Sequence, residues 1–277
     1  LKPNCNNFDS TPNIGLNAEL FYIDKCNCNK CNNLDSTPKI GLNAENFDFD
    51  NFVLENSRCN QKSKSKIIEN SDGSLDDLSK LRQLYPSNPL IGYLNINSLR
   101  GDKIHHLKEL LTKIPLEILC VDETKLTCDF PDAYLEKFGY KYPPYRRDRD
   151  DKLQTRGGGK VVYIKDGIIT KRLNKMETKN AETICLELNI SNRKWFIMFA
   201  YRPESIDRDI FFSEIFMTIS KAFNSYEYII LSGDLNIDMH DQKADVKNYL
   251  SDLCDTFDLT NIITRKTCSK SDEGSSL

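Results

Sequence analysis

Hydrophobic side chains recur along this chain with two periods, and the switches between them mark out its elements. Leu75, Leu78, Leu81 and Leu84 stand at helical spacing behind Ser74-x-x-Asp77, a capping box with Asp in place of Glu. Pro86 and Pro89 end that lead-in helix. From Leu90 short apolar runs alternate with helical stretches. The pattern predicts strands over Leu90–Asn95, Glu117–Asp122, Lys160–Ile164, Glu182–Ile190, Lys194–Ala200 and Tyr226–Leu231, with another starting at Leu259–Ile263. It predicts helices over Lys103–Ile114, Asp207–Asn224 and Ala244–Phe257, and a hairpin across Ser191-Asn192-Arg193. Lys125 to Arg156, rich in Tyr, Pro, Arg and Asp, reads as irregular. Hairpins mixed with crossovers predict an α/β fold, two sheets packed as a sandwich with helices outside.

The first 50 residues lack both periods and hold a repeat instead. Cys5-Asn6-Asn7-Phe8-Asp9-Ser10-Thr11-Pro12 returns as Cys31-Asn32-Asn33-Leu34-Asp35-Ser36-Thr37-Pro38. Two copies fall short of the roughly three that a solenoid needs. The segment is poor in aliphatic residues and cannot bury enough apolar surface to offset its ordering entropy. The expected organisation is a duplicated, mostly disordered segment over 1–70, a lead-in helix over 71–87 and a folded domain over 88–277.

Composition narrows the classes. Charged residues make up 29% of the 277 and mean hydropathy is −0.53, as in soluble proteins. No apolar run approaches the roughly 18 residues that span a bilayer. The N-terminus lacks the apolar core of a signal peptide, so reduced thiols and an intracellular setting are expected for the ten cysteines. It also does not begin with Met, as in a fragment or a conceptual translation. Cys26-x-Cys28-x-x-Cys31 offers three thiolates where structural zinc wants four, which leaves a zinc site and a low-complexity tract both open. Net charge −3 excludes coating of nucleic acid by bulk charge. Yet Arg146 to Lys160 carries a local +3, through Arg146, Arg147, Arg149, Lys152, Arg156 and Lys160 against three Asp, which suits phosphate contacts or simply a face turned to water.

The candidate chemistry lies at strand ends. Ser232-Gly233-Asp234-Leu235-Asn236 follows the apolar run Tyr228–Leu231, and two residues of spacing point Asp234 and Asn236 the same way. Asn95 and Asn97 leave Leu90–Asn95 with the same geometry. Val121-Asp122-Glu123-Thr124-Lys125 delivers a carboxylate at a strand end, and Ala200-Tyr201-Arg202-Pro203 a Tyr and an Arg. Carboxylate and amide oxygens together suit Mg²⁺. Plainer readings exist: Glu123 with Lys125 as a surface ion pair, Asp234 and Asn236 as a turn cap, Tyr201 as strand packing, Arg156 with its glycines as a turn.

Taken in order, Leu94-Asn95-Ile96-Asn97-Ser98-Leu99-Arg100, Glu123-Thr124-Lys125, Tyr201-Arg202-Pro203 and Gly233-Asp234-Leu235-Asn236 resemble the endonuclease/exonuclease/phosphatase superfamily. Arg147-Asp148-Arg149, Arg156-Gly157-Gly158-Gly159 and Thr264-Arg265-x-Thr267 resemble its apurinic-type branch in non-LTR retrotransposons, over roughly residues 88 to 268. The resemblance implies a Mg²⁺-dependent phosphodiesterase, with Mn²⁺ as a substitute, that nicks duplex DNA. Glu123 would bind the metal with Asn97 nearby, where many relatives have Asp. Asn95 would orient the site, Asp234 would hold or deprotonate the attacking water, and Asn236 would fix a phosphate oxygen. Tyr201 would donate to the phosphate, Lys125 would support Glu123, and Arg146, Arg147, Arg149 and Arg156 would meet the DNA backbone. It further implies a reverse transcriptase domain in a longer version of the chain, and a nuclear location.

One departure stands out. The superfamily closes its site with a late Asp and a Ser-Asp-His, whereas Thr267 is followed here by Cys-Ser-Lys-Ser-Asp-Glu-Gly-Ser-Ser-Leu. His105, His106 and His240 do not fit that motif. The last strands are therefore expected to be missing and this chain to cut weakly or not at all. A phosphatase of the same fold acting on a small or lipid phosphate, and a degenerate remnant that only binds nucleic acid, are the alternatives.

Overall fold

The computed structural model describes residues 89–113, 116–148, 158–190, 192–236 and 244–261, together with 52–54 and Gln83. The Cys26-x-Cys28-x-x-Cys31 cluster, the N-terminal repeat, most of the lead-in helix, His240 and everything after Asn261 lie outside the described residues. Strand order is β1 (Phe52–Leu54), β2 (Leu90–Asn95), β3 (Ile118–Asp122), β4 (Tyr145–Arg147), β5 (Lys160–Ile164), β6 (Ile169–Arg172), β7 (Glu182–Ile190), β8 (Arg193–Tyr201) and β9 (Tyr228–Asp234). The helices are α1 (Asp102–Lys113), α2 (Arg208–Phe223) and α3 (Ala244–Phe257).

Two sheets stack face to face. One runs β1-β2-β3-β5-β4 and the other β6-β7-β8-β9. Both parallel pairs, β2 with β3 and β8 with β9, are joined through a helix, α1 in one case and α2 in the other. That is the connection parallel strands require. The α/β sandwich expected from the pattern is what forms. Strand alternation sorts each strand's side chains between layers. Leu119 and Val121 join α1's Leu107 and Leu110 on one outer face. Phe196, Met198, Ile229 and Leu231 join α2's Phe211 and Ile215 on the other. Ile91, Tyr93, Ile118, Cys120, Val162 and Ile164 face Ile184, Leu186, Leu188, Trp195, Ile197, Phe199 and Ile230 between the sheets.

Four features depart from the periodic reading. β4 forms inside the stretch read as irregular, and β6 was not foreseen. Both are edge strands of three or four residues, and β6 alternates exposed with half-buried positions, so neither carries a readable apolar period. Leu259–Asn261 is not strand. Asp258 takes a left-handed backbone (φ 52°) and the Leu259 N–H donates to the Cys254 carbonyl at 2.9 Å, which closes α3. Phe52–Leu54, within the segment expected to be mostly disordered, pairs antiparallel with Leu90–Gly92.

Gly233 serves the sheet more than a ligand. A Cβ there would stand 1.7 Å from the Ala200 carbonyl oxygen, so only glycine lets β9 lie against β8.

Candidate active site

The inward alternation of six strands ends in polar groups at one end of the sandwich. In the first sheet Asn95, Asp122 and Lys160 are cross-strand partners, each two residues beyond an apolar inner position. In the second sheet Glu182, Tyr201 and Asp234 form the matching row. The two rows meet. The Asn95 side-chain amide donates to Asp234 Oδ2 at 2.9 Å and to Glu123 Oε1 at 3.0 Å. The Tyr201 hydroxyl donates to the same Glu123 oxygen at 3.3 Å. The Gly159 N–H donates to Glu182 Oε2 at 2.8 Å.

Glu123 lies one residue past the in-register Asp122 and would by alternation face the wrong way. Its left-handed backbone, φ 49°, accompanies its return to Asn95 and Tyr201. Asn97 (φ 45°), Lys125 (φ 54°) and Asn236 (φ 49°) share that conformation. For residues other than Gly it costs roughly 1–3 kcal/mol and persists only where the surroundings enforce it, commonly at functional sites.

Asp234 is nearly buried. Burial pushes its carboxyl above the ordinary range, opposed by the Asn236 N–H (3.0 Å to Oδ1) and the Asn95 amide. Burial, then Glu123 and Asp234, push the Tyr201 phenol well above its ordinary value, so it stays protonated and able to donate. Beneath them Asp122 and Lys160 form a fully buried ion pair, to which the Tyr93 hydroxyl adds a hydrogen bond on Asp122. Burial raises Asp122 to about 7, with Lys160 and Tyr93 opposing.

Of the residues predicted from sequence, Asn95, Glu123, Tyr201 and Asp234 come together. Asn97 and Lys125 sit at the mouth and bind each other, the Lys125 ammonium donating to Asn97 Oδ1. The Asn236 side chain donates to the Arg202 carbonyl at 2.6 Å. Arg202 clamps that loop, donating to the Leu235 and Asn236 carbonyls at 2.7 and 2.5 Å. Arg146 spends its donors on Asp132, Asp148 and the Thr127 and Phe130 carbonyls, and Arg147 on the Thr178 and Thr183 carbonyls. Both arginines thus tie loops and sheets together, Arg146 through all three of its nitrogens and Arg147 through Nη1. Arg149 and Arg156 lie outside the described residues.

Sequence reading passed over Asp122, Lys160 and Glu182. The signal was available: stepping in twos from Ile118, Ile164 and Leu188 along the inner faces lands on all three.

Among the described residues, no three His, Cys, Asp or Glu side chains are grouped to hold an ion. The half-buried Glu123 carboxylate and its amide neighbours are a hard-oxygen set. That set fits an ion such as Mg²⁺, which is held by one or two carboxylates and keeps several waters. Asn97's oxygen, by contrast, is taken by Lys125.

The model of the Endonuclease/Exonuclease/phosphatase family matches residues 92–269, well over half the chain. No curated protein matches it. Among solved structures, the chain is similar to the endonuclease domain of TRAS1, a telomere-specific non-LTR retrotransposon. Identity there is 10%, the TM-score is 0.43, and 59% of this chain and 71% of that one are covered. It is also similar to the 3′ phosphatase NExo from Neisseria bound to a product DNA hairpin (16%, TM-score 0.43, 59% and 68% covered). An AP endonuclease from Archaeoglobus fulgidus is similar too (16%, TM-score 0.40, 59% and 68% covered).

Proposed function

The chain belongs to the endonuclease/exonuclease/phosphatase family, and from that premise we propose that it hydrolyses phosphodiester bonds of duplex DNA with the help of a divalent ion. One observation carries the reading. The Asn95 amide bridges Glu123 and Asp234 across the sheets while Tyr201 reaches the same Glu123 oxygen. A carboxylate able to anchor an ion, a second buried carboxylate able to take a proton and a neutral phenol able to donate thus share one cleft. That is the part list for attack of water on a phosphate ester.

Glu123 would hold Mg²⁺, or Mn²⁺ in its place, which would supply charge neutralisation at the phosphate. Asp234, fixed at both oxygens by Asn236 N–H and the Asn95 amide, accepts the proton of the attacking water. Its raised affinity for protons strengthens it in that role. Tyr201 turns from Glu123 to donate to a phosphate oxygen, where charge grows in the transition state. Asn95 keeps the two carboxylates from drifting apart. Lys125 adds positive charge at the mouth and, through Asn97, ties the β2 and β3 exits to each other. The retroelement-like phrases favour DNA over a small phosphate, and a reverse transcriptase domain in a longer version of the chain as partner.

The test is nicking of supercoiled plasmid with Mg²⁺, with Mn²⁺ and with EDTA, beside phosphate release from inositol phosphates. Weak metal-dependent nicking that Asp234→Asn abolishes is the expected result, in keeping with the closing Asp and Ser-Asp-His that the sequence does not show. Release from inositol phosphates without nicking would transfer the site to a phosphatase. Binding of DNA with neither reaction would make the chain a non-catalytic binder.

A further inference from the structure

Lys160 stands beneath the site with no part in the steps above. Its side chain and that of Asp122 are both fully buried, and the two pair across β3 and β5. Its ammonium lies 5.6 Å from the centroid of the Tyr201 ring on the opposite sheet and 6.0 Å from that of Tyr93 on its own. Both distances fall within the roughly 6 Å over which a cation attracts an aromatic face. Among the described residues Tyr201's hydroxyl is held by one long hydrogen bond, 3.3 Å to Glu123, a weak constraint on where the ring points. The two polar rows contain three carboxylates, Asp122, Glu182 and Asp234, and one ammonium, Lys160. A buried pair of this kind is weak support for stability, since a well-fitted neutral pair commonly replaces it without loss.

We propose that Lys160 is a positioning residue for the hydrolase site: its ammonium, anchored by Asp122, holds the Tyr201 ring from below and aims the phenol into the cleft. Asp122 fixes the ammonium laterally, and Tyr93 fixes Asp122 through its hydroxyl. The chain of support runs from β2 through β3 and β5 to β8, so both sheets set the angle of one phenol. The reading rests on the hydrolase assignment for its consequence in rate, but not for its geometry.

The decisive variant is the charge-neutral double change Lys160→Met with Asp122→Asn. Lys160→Met alone strands a buried carboxylate and is expected to unfold at lower temperature, and the double change is expected to recover most of that loss. If Lys160 were merely structural, activity would return with the fold. The expected result is otherwise: in the double variant kcat for nicking falls about tenfold to a hundredfold with KM unchanged, the size of effect that misplacing a reacting group produces. The Tyr201 ring resonances, assigned through Tyr201→Phe in ring-labelled protein without metal, move in the same variant. Lys160→Gln, which keeps a hydrogen-bonding partner for Asp122, reports the same two readouts should the double variant not fold. Wild-type kcat, or an unmoved Tyr201 ring, in a folded charge-neutral variant overturns the proposal. Wild-type protein that cuts nothing would overturn the hydrolase assignment instead, and the ring resonances would still decide the role of Lys160.

Discussion

The same six strands end in opposite ways at the two ends of the sandwich. At the far end the in-register inner rows are Ile91–Ile118–Ile164 and Leu188–Trp195–Tyr228. These rows are buried and apolar, and the Trp195 and Tyr228 rings stack 4.3 Å apart. At the near end the rows are Asn95–Asp122–Lys160 and Glu182–Tyr201–Asp234. Within the strands themselves the two ends share one backbone geometry, because sheet, register and alternation continue from one to the other. Side-chain chemistry alone differs. Burying the far rows gains roughly 1.5–3 kcal/mol per large apolar side chain, whereas each near-end polar group must find a partner or cost stability. The near end satisfies itself with a net of hydrogen bonds and one ion pair, and adds left-handed residues at its exits, Asn97, Glu123, Lys125 and Asn236 among them. Stability is concentrated at one end and the proposed chemistry at the other.

The sharpest way to break this division is at Asp234. Asp234→Asn keeps the shape and the Asn236 contact but removes the proposed proton acceptor. Nicking should fall by about 10³-fold or more, while the melting temperature holds or rises because a buried charge is gone. A rate within tenfold of wild type, measured on plasmid, would take Asp234 out of the reaction.

The converse test is Leu188→Ala at the far end. It should cost about 3 kcal/mol of unfolding free energy in urea, from lost burial and the cavity left behind. The kcat of the folded fraction should not change. A fall in kcat at this distance would mean that the two ends are not separable.

Gly158→Ala probes the seam between them, with a smaller effect. Gly158 takes φ 93°, and an added Cβ would stand 2.4 Å from Glu182 Oε1, the movable tip of a side chain. The backbone term should cost about 1–2 kcal/mol in thermal or urea melts. Displacement of Glu182 should lower nicking by less than the Asp234 change does.

Much of this division was legible before any coordinates. Long runs with a clean period, such as Leu90–Asn95, Lys160–Ile164, Glu182–Ile190 and Ala244–Phe257, form over those same residues, because burial on one or both faces dictates their pattern. β4 and β6 escaped notice because an edge strand of three or four residues draws its stability from the neighbour's hydrogen bonds, which sequence does not display. In the site, Asn95, Tyr201 and Asp234 stood at strand ends with the right phase. Asp122 was masked by Glu123, the more conspicuous carboxylate of the resembling motif, and Lys160 by the basic run that surrounds it. Neighbours in sequence lent Arg146 and Arg147 an electrostatic role, while in space Arg146 is engaged by two carbonyls and two aspartates, and Arg147 donates from Nη1 to two carbonyls.

The gentlest probe of the comparison is pH, because a single proton can change stability by no more than about 1.4 kcal/mol per pH unit. Asp122 has an ordinary value of 3.8 and is raised to about 7 in the folded protein. Below 3.8 the folded and unfolded chains both hold the proton, and the group contributes no slope. Between 3.8 and about 7 the folded protein keeps a proton that the unfolded chain has released, so stability falls as pH rises. Above that window the loss is complete and the slope vanishes. Burial raises Asp234 as well, so its contribution has the same sign. Thermal melts in EDTA should therefore show wild type losing stability between pH 5.5 and 6.5, and the charge-neutral double variant Lys160→Met with Asp122→Asn losing less across the same step. Leu188→Ala should lower both points equally and leave the slope alone, since no titrating group belongs to the far rows at these pH values. Equal slopes in wild type and that double variant would mean that the near end gives up no stability to its buried carboxylate in this range, and the contrast between the two ends would then rest on rate alone.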